Sequence, residues 1–439
     1  MVCADVGSTY TKVALVDVGS GNLVATASHP TTASTDVLDG LDAAIDTLGA
    51  CGVPVYACSS AGGGLRLAVV GYEALVSAEA GHQVATTAGA RVVHVAAGRL
   101  TGPGVTALRA ARPDVVLLVG GTDGGDEETV RHNGARLAAS RLRVPVVYAG
   151  NADARADVVA GLAARGVPVV ATDNVLPRIG VLAPKPARAA IRDVFLRHVI
   201  GGKRLSRGPR FARLVRGATP DVVLTAVELL ADQSADQTAT DFAVVDVGGA
   251  TTDVYSVLVP DGGGPQHPAG TLWRSRTVEG DLGVRWSAPG VVAAARAEKL
   301  IDDRAAESLA AAAETRAARP DTADTDGLDL QLTRLAATVA LRRHARGEPG
   351  SARRAGRDLS RVRLLIGSGG VLRHAPAADS AAALAAPLTD HAGGWRVPRA
   401  AETRVDRAYV LAAIGLIAGD FPAAAMVLAR RELYGLSHE

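Results

Sequence analysis

Hydrophobic and polar positions along the chain follow three successive rhythms. From residues 2 to 30 they alternate through a strand around Asp5, the run TKVALVDV, a Gly19-Ser20-Gly21-Asn22 turn and NLVATASHP, which predicts a β-meander. The amphipathic stretch VLDGLDAAIDTLGACG predicts a helix, and PVYACSS a short buried strand stopping at Ala61-Gly62-Gly63-Gly64. The opening is therefore ββαβ-like, with mixed strand directions. From about 66 to 175 the Val-rich runs LAVVGY, ARVVHVAA, DVVLLVGG, VPVVYAG and VPVVATD alternate with helical stretches at Leu75–Ala88, Gly104–Ala111, Glu127–Ser140 and Ala154–Arg165. Short, continuously apolar strands separated by helices predict a parallel sheet covered on both faces, a Rossmann-like module.

The third rhythm is mainly helical. Residues 184 to 232 predict helix broken by the basic stretch Lys203–Arg210, and 290 to 345 predict Ala-rich helices around a PDTADTDG loop. RRHARGEPGSARRAGRD, from Arg342 to Asp358, is expected as a solvated surface loop on its charge alone. VRLLIGSGGVLRHAP then reads as a strand entering a glycine turn, and two helices close the chain.

Within this pattern one short motif occurs twice. Asp5–Val13 and Asp246–Val254 share Asp, Val, Gly, Thr and Val at matching places, each as an apolar strand that ends on a carboxylate, turns on glycine and resumes as strand. A single such stretch is explained by a β-hairpin with a glycine turn. Two of them, each opening one half of the chain, predict a duplicated fold that closes around a ligand. The chemistry suits a phosphate chain. Gly7, Gly248 and Gly249 let the backbone approach without a Cβ, and successive turn N–H groups form an anion-binding nest. Ser8, Thr9, Thr251 and Thr252 add hydroxyls, and Lys12 a cation. Asp5 and Asp246 are candidate holders of Mg²⁺, usually through water. In Gly367-Ser368-Gly369-Gly370, the glycines Gly367, Gly369 and Gly370 suit a backbone passing close to a nucleoside. Glu279-Gly280-Asp281 either reaches the phosphates or caps a helix.

Composition removes several function classes. Basic and acidic residues number 47 and 45, a net charge of +2, which argues against nucleic acid or an anionic membrane as the main partner. No apolar run reaches transmembrane length, and the first strand begins too early for a signal peptide, so the expectation is a cytoplasmic protein. Cys3, Cys51 and Cys58 lack C-x-x-C spacing, which supports neither a structural zinc site, nor a disulfide framework, nor the cluster of an iron–sulfur activator.

The three glycine motifs, in this order, resemble the phosphate-1, phosphate-2 and adenosine motifs of the actin/Hsp70/sugar-kinase ATPase superfamily. More narrowly, DVGGATTDVYSV, SSAGGGLRLAVVG, VVLLVGGTDGGDEETVRHN, PVVYAGNADA, RTVEGDLGVR, IGSGGVLRHAP and VDRAYVLAAIGLIAGDFPAAA resemble the MutL/GlmL family across nearly the whole chain. The resemblance implies an α/β, two-lobed actin-like ATPase with ribonuclease H-like duplicated domains and an inserted Rossmann-like module. The expected divisions are 1–65 and 181–240 for the first lobe, 66–180 for the insert and 241–439 for the second lobe. It further implies ATP and Mg²⁺ as ligands, Asp5 and Asp246 as catalytic and metal residues, and subunits of an adenosylcobalamin-dependent mutase as partners, in an accessory or reactivating role. Glu228 stands where superfamily relatives carry the residue that orients attacking water. A small-molecule kinase and a non-hydrolysing scaffold on the same fold are the alternatives, and a homo-oligomer is compatible with either. In the insert, Gly120-Gly121-Thr122-Asp123 and Gly150-Asn151-Ala152-Asp153 end neighbouring strands, and their polar groups are expected to converge on a second ligand crevice.

Overall fold

A computed structural model describes residues 1–61, 65–74, 76–200, 205–234, 241–258, 274–324, 326–346, 357–390 and 392–434. The glycines after Ala61, Lys203-Arg204 and residues 347–356 of the basic run lie outside them. The strands are β1 Val2–Val6, β2 Tyr10–Asp17, β3 Asn22–Pro30, β4 Val55–Ser59, β5 Leu65–Gly71, β6 Ala90–Ala97, β7 Val115–Leu118 and β8 Val146–Tyr148. They continue with β9 Val169–Ala171, β10 Val215–Ala218, β11 Phe242–Val247, β12 Thr252–Val257, β13 Arg274–Glu279, β14 Leu364–Ser368 and β15 Glu402–Val405.

The described strands form three five-stranded sheets, and two of these are copies of one plan. The first runs β3-β2-β1-β4-β10 and the second β13-β12-β11-β14-β15. In each, the opening strand pairs antiparallel with the next and parallel with the fourth, and the fifth adds in parallel. This is the ribonuclease H-like topology repeated, in the two-lobed actin-like arrangement. Between β4 and β10 the first copy carries an all-parallel sheet, β6-β5-β7-β8-β9, the Rossmann-like insert.

Strand periodicity sets which side chains face the other lobe. On β1, Val2, Ala4 and Val6 enter the core shared by the first lobe and the insert, whereas Cys3 faces the opposite way, into the core between the lobes. On β11, Ala243, Val245 and Val247 enter the second lobe's own core, and Phe242 and Val244 face the first lobe. Asp5 and Asp246 continue the Cys3 and Phe242–Val244 rows. Both aspartates therefore stand on the faces that the two lobes turn toward each other. Two helices fill the space between, Thr219–Ser234 after β10 and Leu411–Ile417 after β15. They pack so closely that a Cβ on Gly415 would lie 2.0 Å from the Val222 carbonyl oxygen.

Two sequence expectations change here. The basic run does not begin as a solvated loop: helix Leu328–Arg346 carries its first part inward. Arg342 is buried against Asp390 and the Glu298 carbonyl, and His344 is buried between Ser256 and Thr277. Their charge and polarity are matched by partners far away in sequence, which a local charge count does not see. Second, the two insert turns do lie side by side, but their polar groups meet one another. The buried Asn151 amide donates to the carbonyls of Thr122 (2.8 Å) and Gly125 (3.3 Å) and accepts from Asp153 N–H (2.7 Å). Asp123 accepts from Ala152 N–H and from the Asn174 amide, each at 2.9 Å. These groups brace the sheet edge and are consumed there. Asn151→Ala removes the buried amide that ties the two turns together through Thr122, Gly125 and Asp153, so it should lower stability by about 1–3 kcal/mol. Thermal unfolding checks this, and Mg²⁺–ATP affinity should be unchanged in the same variant.

Candidate functional site

Antiparallel register places Lys12 opposite Asp5 and Asp253 opposite Asp246, while the parallel neighbours are Cys58 and Ser368. The hairpin turns also correspond. Gly7 N–H donates to the Tyr10 carbonyl (3.1 Å) and Gly248 N–H to the Thr251 carbonyl (2.9 Å). A Cβ at Gly7 or Gly248 would lie 2.8 or 3.0 Å from that same carbonyl oxygen, which is why glycine stands at both places. Among the described residues, no acceptor meets the N–H groups of Ser8, Thr9, Gly249 or Ala250. Each hairpin thus offers two adjacent free donors, the arrangement of an anion-binding nest.

The hairpins meet across the lobes. A Cβ on Gly249 would lie 3.1 Å from Thr9 Oγ1, and the exposed Trp286 of the second lobe donates its Nε1–H to that hydroxyl at 3.3 Å. Lys12 Nζ lies 3.6 Å from Asp5 Oδ2 and 3.9 Å from the centre of the Tyr409 ring. Asp5 is 4 % exposed and accepts from Thr219 Oγ1 (2.6 Å), Tyr409 OH (3.1 Å) and Cys58 Sγ (3.6 Å). Asp246 is less well supplied. Its burial pushes the carboxyl up to about 6; Lys12 and the Ser368 hydroxyl hold it down, while Asp253 and Asp5 push it further. Asp246 keeps partial surface exposure at the cleft while its carboxyl sits in a desolvated surround. That Lys12 and Asp5 of one lobe act on Asp246 of the other shows how near the duplicated motifs lie. Lys12, Asp5, Arg373 and Tyr409 line one recess, with Ala408 and Ala412.

Other predicted site residues go elsewhere. Thr252 is buried, its hydroxyl donating to the Leu282 carbonyl at 2.5 Å, so the remaining hydroxyl at the second turn is that of Thr251, which donates to Asp253 at 3.4 Å. Glu228 is not brought to the aspartates. It lies about 13 Å along its helix from Thr219 and on roughly the opposite face. There it pairs with Arg188 at 2.5 Å. Glu279 and Asp281 are held by Arg343 at 2.9 and 2.8 Å. Of the third motif's glycines, Gly367 makes room for Leu384, and Gly369 has φ +115° with its Cβ position 2.1 Å from the Val247 carbonyl oxygen. The fold itself requires both. Gly370 faces open space. Sequence reasoning missed Thr219, Tyr409 and Arg373, each separated in sequence from the Asp-Val-Gly motifs. Only Thr219, a hydroxyl at a helix start, carries a local signal.

Residues 1–433 match the family model described as MutL protein. The chain is 34% identical over 459 residues to "Protein MutL" of Clostridium tetanomorphum, covering 98% of each. Among solved structures it is similar to nucleotide-free acetone carboxylase, at 14% identity and TM-score 0.39, covering 95% of this chain and 70% of that one. It is also similar to an ATP-dependent caprolactamase from Pseudomonas jessenii, at 13% identity and TM-score 0.37, covering 100% and 77%. A ROK family protein from Streptococcus pneumoniae in complex with sucrose matches at 11% identity and TM-score 0.28, covering 96% and 99%. The family match and the full-length identity together establish that the chain belongs to the MutL family.

Proposed function

We propose that this chain binds Mg²⁺–ATP between its lobes, hydrolyses it slowly, and serves as an accessory or reactivation factor for an adenosylcobalamin-dependent mutase. The observation that carries the nucleotide part is the meeting of the two duplicated hairpins, with Asp5, Lys12 and Asp246 within electrostatic reach. The mutase part is supported by membership of the MutL family and by the resemblance described above.

The residues fit the ligand. Two nests of free N–H groups suit a chain of phosphates, and Lys12 supplies a cation beside them. Among the described residues no three His, Cys, Asp or Glu side chains gather as a metal-binding group. Mg²⁺ retains several waters and takes phosphate oxygens, so Asp5 and Asp246 suffice as its protein carboxylates. Bound ATP supplies a transferable phosphoryl group, for which a protein contributes mainly position and charge. Here the nests orient the phosphates, Lys12 offsets their charge, and the facing lobes exclude water. Asp253 is bound by Arg276 at 2.5 Å and Glu279 by Arg343, so the acids flanking the second hairpin are occupied, which accords with slow hydrolysis. A ligand touching both lobes favours their closed arrangement by its differential affinity, and that difference is what a partner enzyme reads.

Three outcomes check the reading. An adenosylcobalamin-dependent mutase inactivated by damaged cofactor should regain turnover with this chain and Mg²⁺–ATP, but not with the chain alone. Restoration without nucleotide, or none at all, counts against the accessory role. The proton on Asp246 competes with Mg²⁺, so affinity for Mg²⁺–ATP should fall by about tenfold per unit as pH drops below about 6. Asp246→Asn should bind weakly with a flat pH profile, as calorimetry across pH 5 to about 8 would record. Finally, Gly370→Val should weaken ATP binding while leaving inorganic pyrophosphate binding and the melting temperature unchanged, because its side chain enters open space. Gly369→Val should instead unfold the junction of β11 and β14.

A further inference from the structure

Four non-glycine residues among those described have positive φ: Arg112, Arg141, Lys299 and Tyr409. The first three lie just past the ends of helices Gly102–Ala110, Glu128–Ala139 and Ala288–Ala297, where a left-handed residue commonly closes the last turn. Tyr409, at φ 56°, stands ahead of helix Leu411–Ile417. No helix end explains its conformation, and a bulky side chain there is strained. The strain is held from both sides. Tyr409 N–H donates to the Asp406 carbonyl at 3.2 Å, and the Asp406 carboxylate takes the next two N–H groups, Val410 at 2.8 Å and Leu411 at 3.1 Å. The tyrosine hydroxyl donates to Asp5 Oδ2 at 3.1 Å, and the ring lies 3.9 Å from Lys12 Nζ. One strained residue of the second lobe thus occupies both the carboxylate and the cation of the first hairpin.

We propose that Tyr409 is a plug of the phosphate site, and that a Mg²⁺-bound polyphosphate gains Asp5 and Lys12 by displacing the tyrosine's hydroxyl and ring. The inference rests on the nucleotide reading above. Displacement frees Tyr409 to leave its left-handed conformation, and its neighbour in sequence is the helix that crosses Thr219–Ser234 at Gly415. Because Thr219 holds the other Asp5 oxygen, entry of ligand is felt at the start of both crossing helices. Tyr409 is in this sense a positioning residue that competes with the ligand for Asp5 and Lys12. The occupied cleft exchanges one set of contacts for another, so the plug lowers affinity by the worth of what it must give up.

The test compares wild type, Tyr409→Phe and Tyr409→Gly by calorimetry with Mg²⁺–ATP and by thermal unfolding without ligand. The plug predicts that Tyr409→Phe melts lower when empty yet binds tighter, on the order of tenfold for a hydrogen bond to a carboxylate. Tyr409→Gly, which also removes ring and strain, should bind at least as tightly as the Phe variant. A residue that serves only the fold lowers melting temperature and affinity together, and that result overturns the proposal, as does equal affinity in all three proteins. Should wild type fail to bind and Tyr409→Phe succeed, plug and nucleotide reading both stand. If none of the three binds, the nucleotide reading falls and the plug falls with it.

Discussion

A buried carboxylate must be paired or lose its charge, and the way Asp5 is paired organises the molecule. Thr219 donates to one oxygen, Tyr409 to the other, and Lys12 lies beside them. Thr219 begins one helix of the interlobe core and Tyr409 precedes the other, so a single side chain of the first strand ties down the start of both. The helices then cross with a glycine at the contact, so the two lobes pack backbone against backbone there. Asp246 occupies the matching place in the second copy without matching partners, and its carboxyl is pushed up accordingly. The topology is duplicated while the electrostatics are not. In the first copy Thr219, Tyr409 and Lys12 pair the carboxylate, whereas in the second burial pushes the carboxyl up.

The inserted module shares in this arrangement. Its helix Ser77–Thr87 and strands β5 and β7 contribute to the same apolar core as β1 and helix Val37–Thr47, so insert and first lobe are one packed body. It also touches the second lobe. The buried Arg276 on β13 grips Asp253 and donates to the Thr86 carbonyl at 2.9 Å. Asp253 is the register partner of Asp246, so the end of an insert helix lies two interactions from the cleft. A change at the second hairpin has a short, charged route to the insert.

Much of the fold could be read in the sequence because its signals are local. The two Asp-Val-Gly hairpins, the meander and the strand–helix alternation of the insert each lie within a few dozen residues. What escaped is short or long-range. Strands β10 and β15 have the sequences VRGA and ETRV, too brief for alternation to show, yet they complete both sheets. Arg342 and His344 read as surface charge until Asp390 and Ser256 are brought to them. At the site, the residue types that suit a phosphate ligand were legible as motifs. Which of them remain free was not, since the partners of Thr252 and Glu228, Leu282 and Arg188, come from distant segments. Gly369 taught the same lesson: glycine at a turn reports a close approach, and here the approaching group is the chain's own carbonyl.

In the proposed function one ligand is held by both copies of the duplicated motif at once. Amide hydrogen exchange with and without Mg²⁺–ATP addresses it directly, because the free N–H groups lie on separate lobes. Simultaneous slowing is expected at Ser8-Thr9 and at Gly249-Ala250, while Thr122–Gly125 in the insert is unchanged. Slowing confined to one hairpin, or appearing only in the insert turns, would contradict it.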